Sequence, residues 1–165
     1  MTPAGNGRQC RDTSQKRSDS VHFKQGLFVN TGYVLLHQDL LSGDRVVYQV
    51  MADLAMRWST GLFGANGYSE IGIAVGATNR QVLETLRRKY DRLFFLVPGY
   101  GAQGAGAKDA QFAFDRMGHG AAILAGRSIL YAYQKQDGDG QDYQQAALAA
   151  AEKMKKQILS YITVM

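Results

Sequence analysis

The stretch Leu93-Phe94-Phe95-Leu96-Val97-Pro98-Gly99-Tyr100-Gly101-Ala102-Gln103-Gly104-Ala105-Gly106-Ala107 decides how the chain is read. Its first five residues are apolar throughout, as in a strand buried on both faces. Pro98 then opens a turn, and four glycines within residues 98–107 keep the backbone sterically free with its N–H groups exposed. Residues 108–117 read as a helix. A helix start adds unpaired amide donors and a partial positive charge. Strand, glycine-rich loop and helix together make a cradle for an anion, a phosphate first of all.

The same order recurs on either side. Upstream, Ile71-Gly72-Ile73-Ala74-Val75 reads as a strand, Gly76-Ala77-Thr78-Asn79 as a turn with capping residues, and 80–89 as a helix turning Val82, Leu83 and Leu86 inward. Downstream, Gly120-Ala121-Ala122-Ile123-Leu124 is a strand and Ala125-Gly126-Arg127-Ser128 a small-residue turn. A short helical piece follows over 129–133, then a polar loop over 136–140. The last helix covers 142–161, with Tyr143, Ala147, Ala150, Met154 and Ile158 as its buried stripe. Nearer the start, Leu27-Phe28-Val29 reads as a strand, and residues 31–41 fit no single pattern. Ser42-Gly43-Asp44 is a turn, with Asp44 a candidate helix cap. Val47, Val50, Met51, Leu54 and Trp58 then repeat at helical spacing over 46–59, until Gly61, Gly64 and Gly67 break the pattern.

Four strand–helix units imply an α/β fold with parallel strands and right-handed crossovers. They form either an open sheet or half of a (β/α)8 TIM barrel. In such barrels a phosphate site is commonly built from the loops after the last two strands. Here those are the glycine-rich loop and the Gly126-Arg127 turn, which favours the half-barrel. A dinucleotide fold is disfavoured, because Gly99-Tyr100-Gly101 does not continue as G-x-G-x-x-G and no strand ends in a ribose-binding acid.

Composition sets wider bounds. The chain has 165 residues, enough for one domain with its own core. Residues 1–23 read as an irregular, polar lead and 24–165 as the folded domain. No apolar run has the length of a membrane span and no apolar leader opens the chain, so the cytoplasm is the default setting. Nineteen basic residues against fourteen acidic give a net charge of +5. The basic residues are scattered among acids, which favours plain solubility over a polyanion surface. The lead carries Arg8, Arg11, Lys16 and Arg17 but no interleaved aromatics on which bases could stack, so no nucleic-acid partner is expected. His22, His37 and His119 show no metal spacing and the one cysteine, Cys10, lies in the lead, so no metal is expected.

At the two strand ends, Gln103 offers an amide donor and Arg127 a bidentate guanidinium. Either could instead be an ordinary surface residue, but their placement on adjacent loops favours a phosphate site. Trp58 and Tyr133 read as core or interface aromatics. Tyr100 either lines a ligand pocket or packs over the mouth of the barrel.

With these loops in place, the sequence resembles the orotidine 5′-monophosphate decarboxylases, in their longer bacterial branch. The residues that carry the resemblance are 67–78 (GYSEIGIAVGAT), 95–104 (FLVPGYGAQG) and 127–132 (RSILYA), with 24–29 (KQGLFV) and 48–52 (YQVMA) in support. The likeness spans residues 24–157. It implies a (β/α)8 barrel, usually dimeric, that converts orotidine monophosphate (OMP) to UMP in pyrimidine biosynthesis with no cofactor and no metal. It further implies that Gln103, Arg127 and the backbone amides of Gly126 and Arg127 hold the substrate phosphate, and that Pro98, Gly99, Tyr100 and Gly101 border the substrate pocket, Pro98 beside the pyrimidine.

The sequence also departs from the family. The family's catalytic Asp-x-Lys-x-x-Asp motif, a proton-donating lysine among carboxylates, is absent from the 165 residues. The nearest text is Ser14-Gln15-Lys16-Arg17-Ser18-Asp19, which resembles the family's K-R-G-D with its first carboxylate replaced by Ser14. Lys16 and Asp19 are thus the only candidates for a catalytic remnant, and coincidence in a polar tail is the favoured reading. The family's Thr-Ser-Asn-Pro strand end reads Thr31-Gly32-Tyr33-Val34, and its Asn-Ser before the arginine reads Ala125-Gly126. The expectation is therefore the C-terminal half of the barrel: the phosphate end present, the chemical end absent, a lyase by family that is inactive alone. The alternative is a non-catalytic nucleotide-binding half-barrel that self-associates. Either form exposes strand edges and an apolar face.

Overall fold

Four parallel strands lie side by side in the order in which the chain makes them. The computed structural model describes residues 28–30, 41–42, 44–135 and 140–162. The first strand is β1 (Phe28–Asn30); a short antiparallel pair, β2 (Leu41–Ser42) and β3 (Arg45–Val46), leads into helix α1 (Val47–Trp58). Then come β4 (Gly72–Ala74), α2 (Arg80–Lys89), β5 (Phe94–Pro98) and α3 (Ala107–Ala110), which continues as a 3-10 turn over Gln111–Ala113. Strand β6 (Ala121–Leu124), helix α4 (Arg127–Leu130), a 3-10 turn over Ala132–Lys135 and helix α5 (Tyr143–Tyr161) complete the order.

The main sheet runs β1-β4-β5-β6, all parallel, with Phe28 opposite Gly72, Gly72 opposite Phe94 and Phe95 opposite Ala121. Each new strand joins the far side of the last one. Among the described residues the strand order does not reverse, unlike in doubly wound sheets, so this is an arc of a barrel wall. Among the described residues no helix is long and apolar enough to cross a membrane.

One face of the arc is covered over β4 and β5 and half-covered over β6. Ile73, Phe95 and Val97 are completely buried and share a core with Leu83 and Leu86 of α2 and with Ala52 and Ala55 of α1. Burial alternates strictly along β5: Phe95 and Val97 are buried, whereas Phe94, Leu96 and Pro98 on the other face are half-buried. Register places Ala74, Leu96 and Ala122 in one row of that second face, and Pro98 beside Leu124.

Helix α2 runs over the expected residues. Asn79 accepts a hydrogen bond from the Val82 amide at 3.2 Å and so caps it. Val82, Leu83 and Leu86 are buried as expected, and so is Arg87. In α1 the expected inward stripe is rotated. Tyr48, Ala52 and Ala55 are buried, while Val47, Val50, Met51 and Leu54 are half-buried and Trp58 is 46% exposed. The two alanines let the helix lie close against the sheet, a nearness the larger residues would forbid. Asp44 is not a cap: Val46 stands at the helix start with no side-chain cap, because Arg45 and Val46 are taken up in the β2–β3 pair.

The helix expected over 108–117 is shorter. It ends at Ala110, and the 3-10 turn ends at Phe114 in extended backbone. Asp115 explains the stop. Its carboxylate accepts from the Met117 and His119 amides at 2.8 and 2.9 Å and from the Tyr68 hydroxyl, an arrangement that competes with helix. In α5, Ala146 and Ile158 are buried; Ala147, Ala150 and Met154 are half-buried; Tyr143, expected inside, is 52% exposed. Residues 31–40, most of the polar loop over 136–140, and the lead over 1–23 lie outside the described residues.

Candidate functional site

The site region forms where three strands end. Pro98 and Leu124 are register partners at the tips of β5 and β6, so the loops that follow leave the sheet side by side. The loop after β4 joins them: the Ala77 amide donates to the Pro98 carbonyl at 2.8 Å.

The loop after β5 folds on itself. Gly101 N–H donates to Ala105 O at 2.8 Å, Gly104 N–H to Gly101 O at 2.9 Å and Ala102 N–H to Tyr100 O at 3.1 Å. Three amides expected to face a ligand are therefore spent inside the loop. Gly101 adopts φ +77°, and a Cβ there would stand 2.7 Å from Ser128 Oγ and 2.8 Å from Ser128 Cβ. Gly99, at φ +104°, has the Gln103 Oε1 2.8 Å from its own Cβ position, so the Gln103 side chain folds back over Gly99. Both glycines are needed for their left-handed backbone and for room.

After β6, the Gly126 carbonyl accepts from the Ile129 and Leu130 amides at 3.0 and 2.9 Å, closing the single turn of α4. Arg127 begins that turn. It is exposed and makes no ion pair among the described residues. Because Ser128 touches Gly101, the turn bearing Arg127 is held against the loop bearing Gln103. The structure thus brings Gln103, Gly126 and Arg127 to one end of the sheet, with Gly99 buried beneath them and Pro98 closing the half-covered face.

Tyr100 goes elsewhere. Its hydroxyl donates to Gln157 Oε1 of α5 at 3.2 Å, and burial raises its pKa. It packs against α5 and lines a cavity there with Ser128 and Gln157. The shortness of α3 also removes most of the helix-dipole contribution expected behind the loop. Lys16 and Asp19 lie outside the described residues.

Two residues escaped the sequence reading. Ser128 stood within the 127–132 stretch but was given no role of its own. Arg87 stands in a basic run with Arg88 and Lys89 and was given no role, although it follows Leu83 by four positions and so shares the inner face. It is 7% exposed and stacks on Phe95 with its guanidinium carbon 3.8 Å from the ring centre. It donates to the carbonyls of Tyr90, Asp91, Leu93, Ala113 and Gly120. Burial pulls its pKa down to about 10, still charged at neutral pH. This hub ties the end of α2 to the starts of β5 and β6, opposite the candidate site.

No family model matches the chain. Curated relatives do. The chain is 31% identical over 149 residues to the orotidine 5′-phosphate decarboxylase of Caldicellulosiruptor bescii, covering 88% of this chain and 48% of that one. It is 38% identical over 133 residues to the enzyme of the same name from Dehalococcoides mccartyi strain CBDB1, covering 80% and 45%. Among solved structures, Leishmania donovani OMP decarboxylase superposes with a TM-score of 0.60 at 27% identity, over 84% of this chain and 50% of that one. Leishmania donovani UMP synthase superposes with a TM-score of 0.62 at 28% identity, over 84% and 29%. The chain spans about half the length of the curated relatives it matches. Its sequence and its sequentially wound parallel sheet agree: the chain belongs to the orotidine 5′-phosphate decarboxylase family and folds as part of that family's TIM barrel.

Proposed function

We propose that this chain is the phosphate-holding, C-terminal half of an orotidine 5′-phosphate decarboxylase. In this reading the Gln103 amide and the Arg127 guanidinium grip the 5′-phosphate of OMP and of the product UMP, helped by the backbone at Gly126 and Arg127. Pro98 and Gly99 border the nucleotide beyond the phosphate. The observation that carries the reading is the contact of Gly101 with Ser128, which holds the Gln103 loop against the Arg127 turn. Arg127 is exposed and unpaired among the described residues, as a phosphate ligand awaiting its anion should be.

Decarboxylation releases CO2 and leaves an electron pair on the pyrimidine carbon, which must be protonated. Binding energy from the remote phosphate drives that chemistry only where an acid and opposing carboxylates are in place. With no Asp-x-Lys in its 165 residues, this chain supplies the grip, and the acid must come from another polypeptide segment. Alone it binds UMP and does not turn over OMP. A cytoplasmic setting goes with this reading.

A second reading rests on the half-covered sheet face bearing Leu96, Pro98 and the 44% exposed Leu124. Through it the chain self-associates and acts as a nucleotide-binding module. One pair of measurements separates the readings from an inert fragment: UMP-induced thermal protection and UMP production from OMP. Protection that vanishes in Gln103→Ala and Arg127→Ala, without turnover, is the expected result. Absence of protection in the unsubstituted chain overturns the phosphate site, and turnover by the lone chain overturns the assignment of the acid to another segment.

A further inference from the structure

Behind the phosphate loop lies a cavity of about 370 Å³, within the usual range for small-molecule sites. Tyr100, Ser128, Lys153 and Gln157 converge on it, and neither Gln103 nor Arg127 lines it. Its apolar walls are Ile129 of α4 and a run of α5 that includes Ala146, Ala149 and Ala150. We propose that this cavity is a second ligand site, one that takes a small organic anion, a carboxylate on an apolar body.

Four observations point to that chemistry. Among the described residues no acid lines the cavity, while Lys153 does, and Lys153 has no ion pair among them. Among the described residues Ser128 Oγ is buried without a hydrogen-bond partner, a state that ordinarily costs about 1–3 kcal/mol. Gln157 accepts the Tyr100 hydroxyl through its oxygen, which turns its amide N–H2 into a further donor at the same wall. The remaining wall is aliphatic and small, with room for an apolar body. One unpaired cation among neutral donors suits a single negative charge, and a carboxylate accepts from all three groups. The ligand would lie against Tyr100 and Ser128, on the two loops that carry Gln103 and Arg127. The site itself does not depend on what those two residues bind.

The test is a titration of the 165-residue, ¹⁵N-labelled chain with sodium benzoate, followed by amide chemical shifts, with benzylamine as the cation of similar shape. Saturable shifts at Ser128, Lys153 and Gln157 are expected with benzoate and not with benzylamine. Losing one charge-assisted hydrogen bond in Lys153→Met should weaken binding roughly tenfold. Ala149→Leu, at an exposed position of α5, should fill the cavity and abolish binding. The proposal is overturned by equal binding of benzylamine, by wild-type affinity in both variants, by no binding, or by shifts centred instead on Gln103 and Arg127 or on Leu96 and Leu124.

Discussion

Gly101 and Ser128 touch across the gap between two loops, with 2.7 Å between the Ser128 oxygen and the place a Gly101 Cβ would occupy. The contact demands glycine twice, once for φ +77° and once for space. Gly104 makes a useful contrast, at φ +93° with nothing within 4 Å of its Cβ position. Gly104→Ala should cost only the backbone strain, about 1–2 kcal/mol. Gly101→Ala adds a clash with Ser128 and should cost more, about 2–3 kcal/mol, while also weakening UMP protection. Urea midpoints and UMP-dependent melting of both variants check this. Equal losses in the two would mean that the loops do not press on each other.

Arg87 should be the most costly polar side chain to remove. Arg87→Met takes a donor from five carbonyls, of which Gly120 keeps the Phe95 amide, and gives up the stacking on Phe95. A loss of about 3 kcal/mol or more is expected in urea unfolding. Arg87→Lys should recover only part of it, since one ammonium cannot reach carbonyls spread around a planar fork. Arg88→Ala, the next residue along and paired with Glu84 at the surface, should stay within about 0.5 kcal/mol of the parent.

Why Arg87 was illegible and α2 was not shows where sequence reading stops. The ends of α2 are written locally, by Asn79 as a cap and by a strict apolar spacing through Val82, Leu83 and Leu86. The order of strands was legible for the same reason, because each unit carries its own pattern. The truncation of α3 depends on Tyr68 and Asp115, forty-seven positions apart, and no local pattern encodes that bond. The rotation of α1 depends on how closely the helix approaches the sheet, which alanines permit and which hydrophobicity alone does not rank. At the site, Gln103 and Arg127 stood out by their loops. Ser128 did not, since its part is contact with a glycine of another loop.

The pH dependence of stability should have an acid and an alkaline limb. Burial pushes the Asp53 pKa up, but hydrogen bonds from Tyr90 and Lys89 and the charges of Lys89 and Arg45 outweigh it, and the net shift is downward from 3.8. The unfolded chain therefore binds the proton more readily. Stability from Asp53 is present above pH 3.8 and is lost as pH falls through the lower folded value. Asp115 is shifted the same way by Tyr68 and the His119 and Met117 amides, against its own burial. Tyr68 moves oppositely: burial and its bond to Asp115 raise it to about 12 from 10.0. Its contribution is present below pH 10 and is lost as pH rises towards 12. Urea midpoints across pH should show both limbs, with Asp53→Asn flattening the first and Tyr68→Phe the second. An unchanged alkaline limb in Tyr68→Phe would refute the assignment to that phenol.

The two faces of β5 and β6 should respond oppositely to charge. Val97 is wholly buried in the apolar core, so Val97→Glu places a carboxylate there and should unfold the chain. Leu124 lies one residue beyond Ile123, the register partner of Val97, and faces the other way at 44% exposure. Leu124→Glu gives up little burial, so its urea midpoint should hold within about 0.5 kcal/mol. If the half-covered face is where copies of the chain meet, the same substitution should shift sedimentation toward the monomer, because a charge would be stranded in an apolar contact. Unaltered association in Leu124→Glu would move the contact away from this face and leave the nucleotide-binding reading without its self-associating form.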